Sequence, residues 1–344
     1  MNDEMYMRRC FELAERGLGA VAPNPLVGAV LVHEGVVIGE GYHMKFGEAH
    51  AEVNCIQSVK KEHENLISKS KLFVSLEPCS HFGKTPPCTN LILQHEIPEV
   101  IIACKDPFEK VLGTGIAQLQ AAGVKVVVGL LEKEAIELNK RFFCFHQKKR
   151  PFIILKWAQT SNQMIAHANG TPLKISNATT DKKVHQWRSE ESSIMVGAKT
   201  ILSDNPSLTT RFWKGENPTR IIIDKNLKIS KQKKVFDDEA PTLVFNFLEE
   251  KKAGSNHFLK ISPEKNSINQ ILLRLQEMQI QSVLVEGGAQ LIQSFLNEDV
   301  WDEARIITNT KLFLEDGLSA PVFKNGQLVK ETSIEEDLIQ YYYH

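Results

Sequence analysis

The sequence predicts an α/β protein built as two layered domains, on three observations. Strand-type apolar runs alternate with helical spacing along both halves of the chain. A length of 344 residues accommodates about two domains. The segment Gln147-Lys148-Lys149-Arg150-Pro151 breaks the alternation with charge and a proline, which puts a linker there and domains at residues 1–146 and 151–344.

In the first domain, Met7, Cys10, Phe11, Ala14 and Leu18 recur at helical spacing, and Gly17 and Gly19 end that helix. Residues 28–32 and 36–41 are β-rich runs separated by His33-Glu34-Gly35, a hairpin pattern. Helices are then expected over 49–61, 91–95 and 115–122, with strands over 72–76, 100–104 and 124–128. In the second domain the strands are expected at 152–157, 193–196, 220–223, 242–247, 282–285 and 304–308, with a final strand in the tail at 338–343. Helices are expected at 179–189, 198–202, 268–278 and 289–297.

Composition narrows the function classes. Hydrophobic residues at 42% and charged residues at 24% exclude a disordered chain. Lys plus Arg (41) nearly cancels Asp plus Glu (42), so the basic excess of a nucleic-acid binder is missing. No apolar run approaches the ~18 residues of a membrane helix. The acidic start Met1-Asn2-Asp3-Glu4 lacks the apolar segment of a signal peptide, so a cytoplasmic protein is expected.

Six cysteines are too few for a disulfide scaffold. Cys10, Cys55, Cys104 and Cys144 have apolar neighbours and read as core residues. Cys79 and Cys88 sit instead in a polar, proline-rich stretch.

These two thiols have a partner upstream in His50-Ala51-Glu52, at the start of an expected helix. One imidazole and two thiolates leave a fourth tetrahedral position on zinc for water, the arrangement of a catalytic ion. Pro86 and Pro87 precede Cys88, which places that thiol at a helix start whose dipole stabilises a thiolate. Glu52 can reach the water without binding the metal, and His-x-Glu followed by Pro-Cys…Cys is the zinc-deaminase signature. A structural site completed by His81 would leave Glu52 and the wide Cys79–Cys88 gap without a purpose.

Ala22-Pro23-Asn24-Pro25-Leu26-Val27-Gly28, Gly41-Tyr42-His43, His50-Ala51-Glu52, Leu76-Glu77-Pro78-Cys79-Ser80-His81 and Thr85-Pro86-Pro87-Cys88 resemble the deaminase half of the bifunctional riboflavin-biosynthesis deaminase/reductases. The resemblance implies a cytidine-deaminase-like three-layer domain that binds one Zn2+ through His50, Cys79 and Cys88. It also implies deamination of 2,5-diamino-6-(5-phosphoribosylamino)pyrimidin-4(3H)-one by zinc-activated water, with Glu52 carrying the proton. Asn24, His43, His81, Lys84 and Asp106 would line the substrate pocket, and Lys84 would suit the phosphate.

In the second domain, Ser282-Val283-Leu284-Val285-Glu286-Gly287-Gly288-Ala289 is a strand meeting glycines and a helix, a turn that suits a phosphate or serves as a simple connection. The full Gly-x-Gly-x-x-Gly fingerprint is missing. Residues 194–211 together with Val285-Glu286-Gly287-Gly288 resemble the reductase half of the same family, which has a dihydrofolate-reductase-like fold. That resemblance implies NADPH-dependent reduction of the ribosyl group to ribityl. Ala158, Lys174, Thr200, Asp204 and the segment from Gly288 would contact NADPH. Pro172, Arg188, Leu208, Arg211 and Glu286 would contact substrate, the two arginines suiting its phosphate.

The chain departs from the family at Thr160-Ser161-Asn162-Gln163, where Gln163 replaces a turn glycine, and at Pro172 and Lys174. A deaminase with a weakened reductase domain is therefore the neighbouring reading. A zinc-containing nucleic-acid-binding or editing module is the reading from another class. The family also implies a homo-oligomer assembled through the reductase domain, acting on small molecules and on neither nucleic acid nor membrane.

Overall fold

Strand geometry sorts the apolar residues of the first sheet: Val30 and Val32 face one side, Ala29 and Leu31 the other. The computed structural model describes residues 3–82, 86–108, 111–171 and 173–344, so Lys84 and Pro172 lie outside the described residues. The chain divides into two compact units, Met1–Lys149 and Arg150–His344.

In the first unit, β1 (Gly28–His33), β2 (Val36–Tyr42), β3 (Lys71–Val74), β4 (Glu99–Ile102) and β5 (Lys125–Val128) lie in the order β2-β1-β3-β4-β5. β1 is antiparallel to β2 and β3, whereas β3, β4 and β5 are parallel. One face packs on α1 (Asp3–Glu15), α5 (Glu132–Leu138) and α6 (Lys140–Gln147), through Met7, Cys10, Phe11, Ala135, Phe142 and Phe143. The other packs on α2 (Ala51–Gln57), α3 (Cys88–Gln94) and α4 (Thr114–Ala121), through Ala51, Cys55, Ile92, Ile116 and Leu119. The result is the expected three-layer arrangement. Cys10, Cys55, Cys104 and Cys144 are all buried.

Two expectations need correction here. The helix expected over 49–61 stops at Gln57, because the Ser58 hydroxyl donates to the Cys55 carbonyl and accepts from the Glu40 amide. That back-bonding ends the helix, and a 3-10 segment, Lys61–Lys69, follows. α5 and α6 were not expected: α5 buries only Ala135, and in α6 Phe142, Phe143, Cys144 and Phe145 are contiguous and give no helical period.

The second unit holds β6 (Phe152–Thr160), β7 (Met164–His167), β8 (Ser193–Gly197), β9 (Thr219–Ile223), β10 (Thr242–Asn246), β11 (Lys251–Ala253), β12 (Asn256–Lys260), β13 (Ser282–Val285), β14 (Glu303–Asn309), β15 (Gly317–Ser319), β16 (Gln327–Ile334) and β17 (Asp337–Tyr343). Ten of these form one sheet in the order β11-β12-β10-β9-β8-β13-β6-β14-β17-β16, and β7 pairs with β15 separately. From β12 to β14 the strands are parallel. Both faces of these strands are covered, so they read as unbroken apolar runs. Ile194 and Val196 pack on one side, with Ile201 and Leu208. Met195, Leu155 and Val285 pack on the other, with α9 (Ser267–Glu277) and α10 (Ala289–Asn297). α7 (Ala178–Glu190) and α8 (Ala198–Asp204) flank β8 in sequence.

β7, β11, β12, β15 and β16 were not expected. They are short or polar, and β16 exposes seven of its eight residues.

Candidate active sites

The first site grows from the start of α2. His50 is the N-cap of that helix and Glu52 lies in its first turn, buried. Cys79 follows β3, and Cys88 opens α3 directly after Pro87. His50 Nδ1 lies 3.5 Å from the Cys79 sulfur and 3.3 Å from the Cys88 sulfur, and all three donor atoms fall within 4.8 Å of one another. One nitrogen and two sulfurs converging on a point are the donor set that zinc prefers, with a fourth position left over. The residues fit the ion.

Electrostatics suit that role. Hydrogen bonding to Cys88 and to His50 lowers the Cys79 thiol, outweighing its burial, and so favours a thiolate there, whereas the hydrogen bond with Cys79 and burial raise the Cys88 thiol, against the thiolate expected from its place at the helix start. Burial, with the nearby Cys79 charge, raises the Glu52 carboxyl. A carboxylate whose proton affinity is raised is suited to accept a proton and release it.

Asn24 and His43 come next to this centre. Asn24 Nδ2 donates to His43 Nε2 at 3.0 Å, and His43 Nδ1 meets the Ala49 carbonyl at 3.0 Å. A carbonyl only accepts, so the proton sits on Nδ1 and the ring is neutral. Burial lowers the His43 imidazole further. Its ring stands edge-on to His50, with centroids 5.4 Å apart.

Asp106 is buried, its Oδ1 accepts from the Phe108 amide, and burial pushes its carboxyl up to about 6. The Asp106 amide in turn donates to Glu77, two residues before Cys79. His81 is exposed on the loop between the cysteines.

In the second unit Glu286 and Gly288 follow β13 and Thr200 follows β8, at the C-terminal ends of adjacent parallel strands, where open α/β sheets bind ligands. Glu286, just after β13, receives Arg188 Nε and Nη2 at 2.8 Å each, and Arg188 Nη1 donates to the Thr209 carbonyl. Arg188 is thus a buried partner of Glu286. Lys156 on β6 lies 3.8 Å from the same carboxylate. Burial alone would raise Glu286, but the Arg188 and Lys156 cations bring it down to about 2. Burial lowers the Lys156 ammonium.

Sequence reasoning missed Lys156, although a lysine inside the apolar run 152–157 was a visible signal. It also missed His185, buried beside Arg188 and lowered to about 4 by burial and that cation. Leu208 is buried with φ +56, and Arg211 is exposed and donates to the Ser207 hydroxyl at 3.1 Å.

Thr200 and Gly288 come together between α8 and α10. A side chain on Gly288 would begin 3.4 Å from the Thr200 hydroxyl, and Gly288 itself has φ +69. Gly197, at the end of β8, faces open space. Exposed backbone after two adjacent parallel strands, with a hydroxyl between, fits a dinucleotide. Ala158 lies on β6 opposite Ile307 of β14. Lys174 is exposed and ion-paired with Asp181, and Asp204 is exposed at the end of α8. Among the described residues, no hydrogen bond or ion pair joins either directly to Thr200, Arg188 or Glu286.

The Thr160–Gln163 turn is intact. Gln163 holds φ +63 where a glycine would be unstrained, and Asn162 bridges the Thr160 hydroxyl and the Leu314 carbonyl.

Comparison with known proteins agrees with both units. Residues 1–104 match the cytidine and deoxycytidylate deaminase zinc-binding region, and residues 151–335 match the RibD C-terminal domain. The riboflavin biosynthesis protein RibD of Aquifex aeolicus is 38% identical over 322 residues, covering 92% of this chain and 89% of the relative. The Escherichia coli protein of that name is 31% identical, covering 92% of this chain and 90% of its own. A crystal structure of a diaminohydroxyphosphoribosylaminopyrimidine deaminase/5-amino-6-(5-phosphoribosylamino)uracil reductase from Thermotoga maritima superposes with a TM-score of 0.90 at 37% identity, covering 99% of this chain and 98% of that one. The chain therefore belongs to the RibD family of riboflavin biosynthesis, bifunctional enzymes that join a zinc-dependent deaminase to an NADPH-dependent reductase.

Proposed function

We propose that residues 1–146 deaminate 2,5-diamino-6-(5-phosphoribosylamino)pyrimidin-4(3H)-one, and that residues 151–344 reduce the ribosyl group of the resulting 5-amino-6-(5-phosphoribosylamino)uracil to ribityl. The observation that carries this reading is the convergence of His50, Cys79 and Cys88 beside the buried Glu52. A zinc ion held by those three residues supplies Lewis-acid activation of water. Glu52 accepts the proton of the attacking water and delivers it to the departing ammonia, so the ring carbon exchanges NH2 for oxygen. Asn24 has its amide nitrogen engaged by His43 and offers its oxygen to a donor on the pyrimidine.

In the second unit NADPH supplies the hydride. Thr200, Gly288 and the backbone around them receive the cofactor, with Ala158 nearby on β6. Glu286, held ionised by Arg188 and Lys156, accepts from sugar hydroxyls. Arg211, whose guanidinium is exposed, is left to meet the substrate phosphate, while Arg188 orients Glu286.

Assembly through the reductase domain is supported by β16, an edge strand with exposed Leu328 and Val329. Thiol ligands and the near-neutral charge support a cytoplasmic enzyme of small molecules. Among the described residues, no helix is long and apolar enough to cross a membrane. Zinc stoichiometry, followed by assay of each substrate with the purified chain, tests the assignment: deamination by a zinc-free protein would overturn the first half.

A further inference from the structure

Glu77 is a buried carboxylate that the mechanism leaves unused. Its side chain accepts four backbone N–H groups from one distant segment. Oε2 takes Asp106 at 3.3 Å and Gly113 at 3.0 Å; Oε1 takes Gly115 at 3.0 Å and Ile116 at 3.3 Å. Gly115 and Ile116 lie in the first turn of α4, whose own N-cap, Gly113, offers no side chain. Glu77 thus caps that helix from 38 residues away, with its negative charge at the positive helix end.

The same segment is pressed against the residues that follow Glu77. A Cβ on Gly115 would stand 2.1 Å from the Pro78 carbonyl oxygen, so only glycine permits the approach. Ser80 Oγ meets Thr114 Oγ1 at 2.6 Å. Cys79 is therefore bracketed at positions 77, 78 and 80 by the chain that carries Asp106. The metal ligand and Asp106 are held in one frame, and the Glu77 carboxylate is its main polar tie.

We propose that Glu77 is a positioning residue of the deaminase, setting Asp106 relative to the metal site so that the pyrimidine substrate is held in register. This rests on the proposed deaminase reading, in which Asp106 contacts substrate. An ionised carboxylate is an acceptor at both oxygens, and the task requires that. In Glu77→Gln the amide nitrogen would face two backbone donors, so half of the tie turns repulsive while size is conserved.

The test is steady-state deamination by the zinc-loaded full chain, with reduction by the same preparation as an internal control. Wild type must deaminate the diaminopyrimidinone; if it does not, the functional reading fails before Glu77 is in question. E77Q is expected to keep one zinc per chain, to raise the deaminase KM roughly tenfold or more, and to change kcat less than KM. E77D keeps the charge with a shorter reach and is expected to restore part of the KM; it carries the test if E77Q does not fold. In an Asp106→Ala background, E77Q is expected to add little, because both changes remove one function. An unchanged KM in E77Q and E77D overturns the proposal. So does loss of zinc, or a full additive effect on top of Asp106→Ala, since either makes Glu77 a support of the fold or the metal alone.

Discussion

The Glu286 carboxylate receives Arg188 Nε and Nη2 at 2.8 Å each, both side chains being almost wholly buried. A buried pair of this kind is retained at a desolvation cost, and removing one partner strands the other. Replacing Arg188 by Met is therefore expected to destabilise the second unit by about 3–5 kcal/mol. Thermal unfolding of the full chain checks this, with reduction lost and deamination retained at permissive temperature.

The acid response follows from the same pair. Glu286 is depressed to about 2, so the stability it contributes is fully present above its ordinary value of 4.5 and is lost as pH falls toward 2. Glu286→Gln is expected to be less stable than wild type at neutral pH and to lose less stability between pH 4.5 and 2. Unfolding midpoints measured across that window decide it, and parallel curves would contradict the pairing.

Glu52→Gln preserves size but cannot carry the proton. Deamination is expected to fall by about 10²–10⁴-fold with zinc content unchanged, and reduction of supplied aminouracil substrate to continue. Metal analysis beside the two assays separates this from loss of the ion, which Cys88→Ser is expected to cause.

Gly288 combines φ +69 with closeness to Thr200. Gly288→Val is expected to weaken NADPH binding roughly tenfold or more, read by quenching of protein fluorescence, with deamination unaffected. Equal affinity in the variant would remove this loop from the cofactor site.

Gln163 holds a left-handed backbone at an exposed turn. Gln163→Gly is expected to stabilise the chain by about 0.5–1 kcal/mol, the relief of strain exceeding the added freedom of the unfolded state. Denaturant titration measures it.

What the sequence disclosed followed from local pattern. The β1–β2 hairpin and the alternating layers depend on spacing that survives folding unchanged, and the His50, Glu52, Cys79 and Cys88 set is legible as a motif although His50 meets the two thiols only in the fold, across 29 and 38 residues. What it concealed depends on distant partners. Glu77 stands within the Leu76-Glu77-Pro78-Cys79 motif, yet the amides it accepts from lie 29 to 39 residues away. The pairing of Arg188 with Glu286, 98 positions on, likewise has no local signal. α6 was lost because its apolar residues are contiguous. β16 was lost because its exposed residues carry no alternation.

The most direct test of two activities in one chain is a mass-spectrometric time course on the purified protein with the diaminopyrimidinone ribosyl phosphate, run with and without NADPH. Without NADPH, the substrate is expected to exchange NH for oxygen and stop there; with NADPH, that product is expected to gain two hydrogens. Failure of the first mass change with zinc bound would contradict the deaminase assignment, and deamination with no later gain of hydrogen would contradict the reductase.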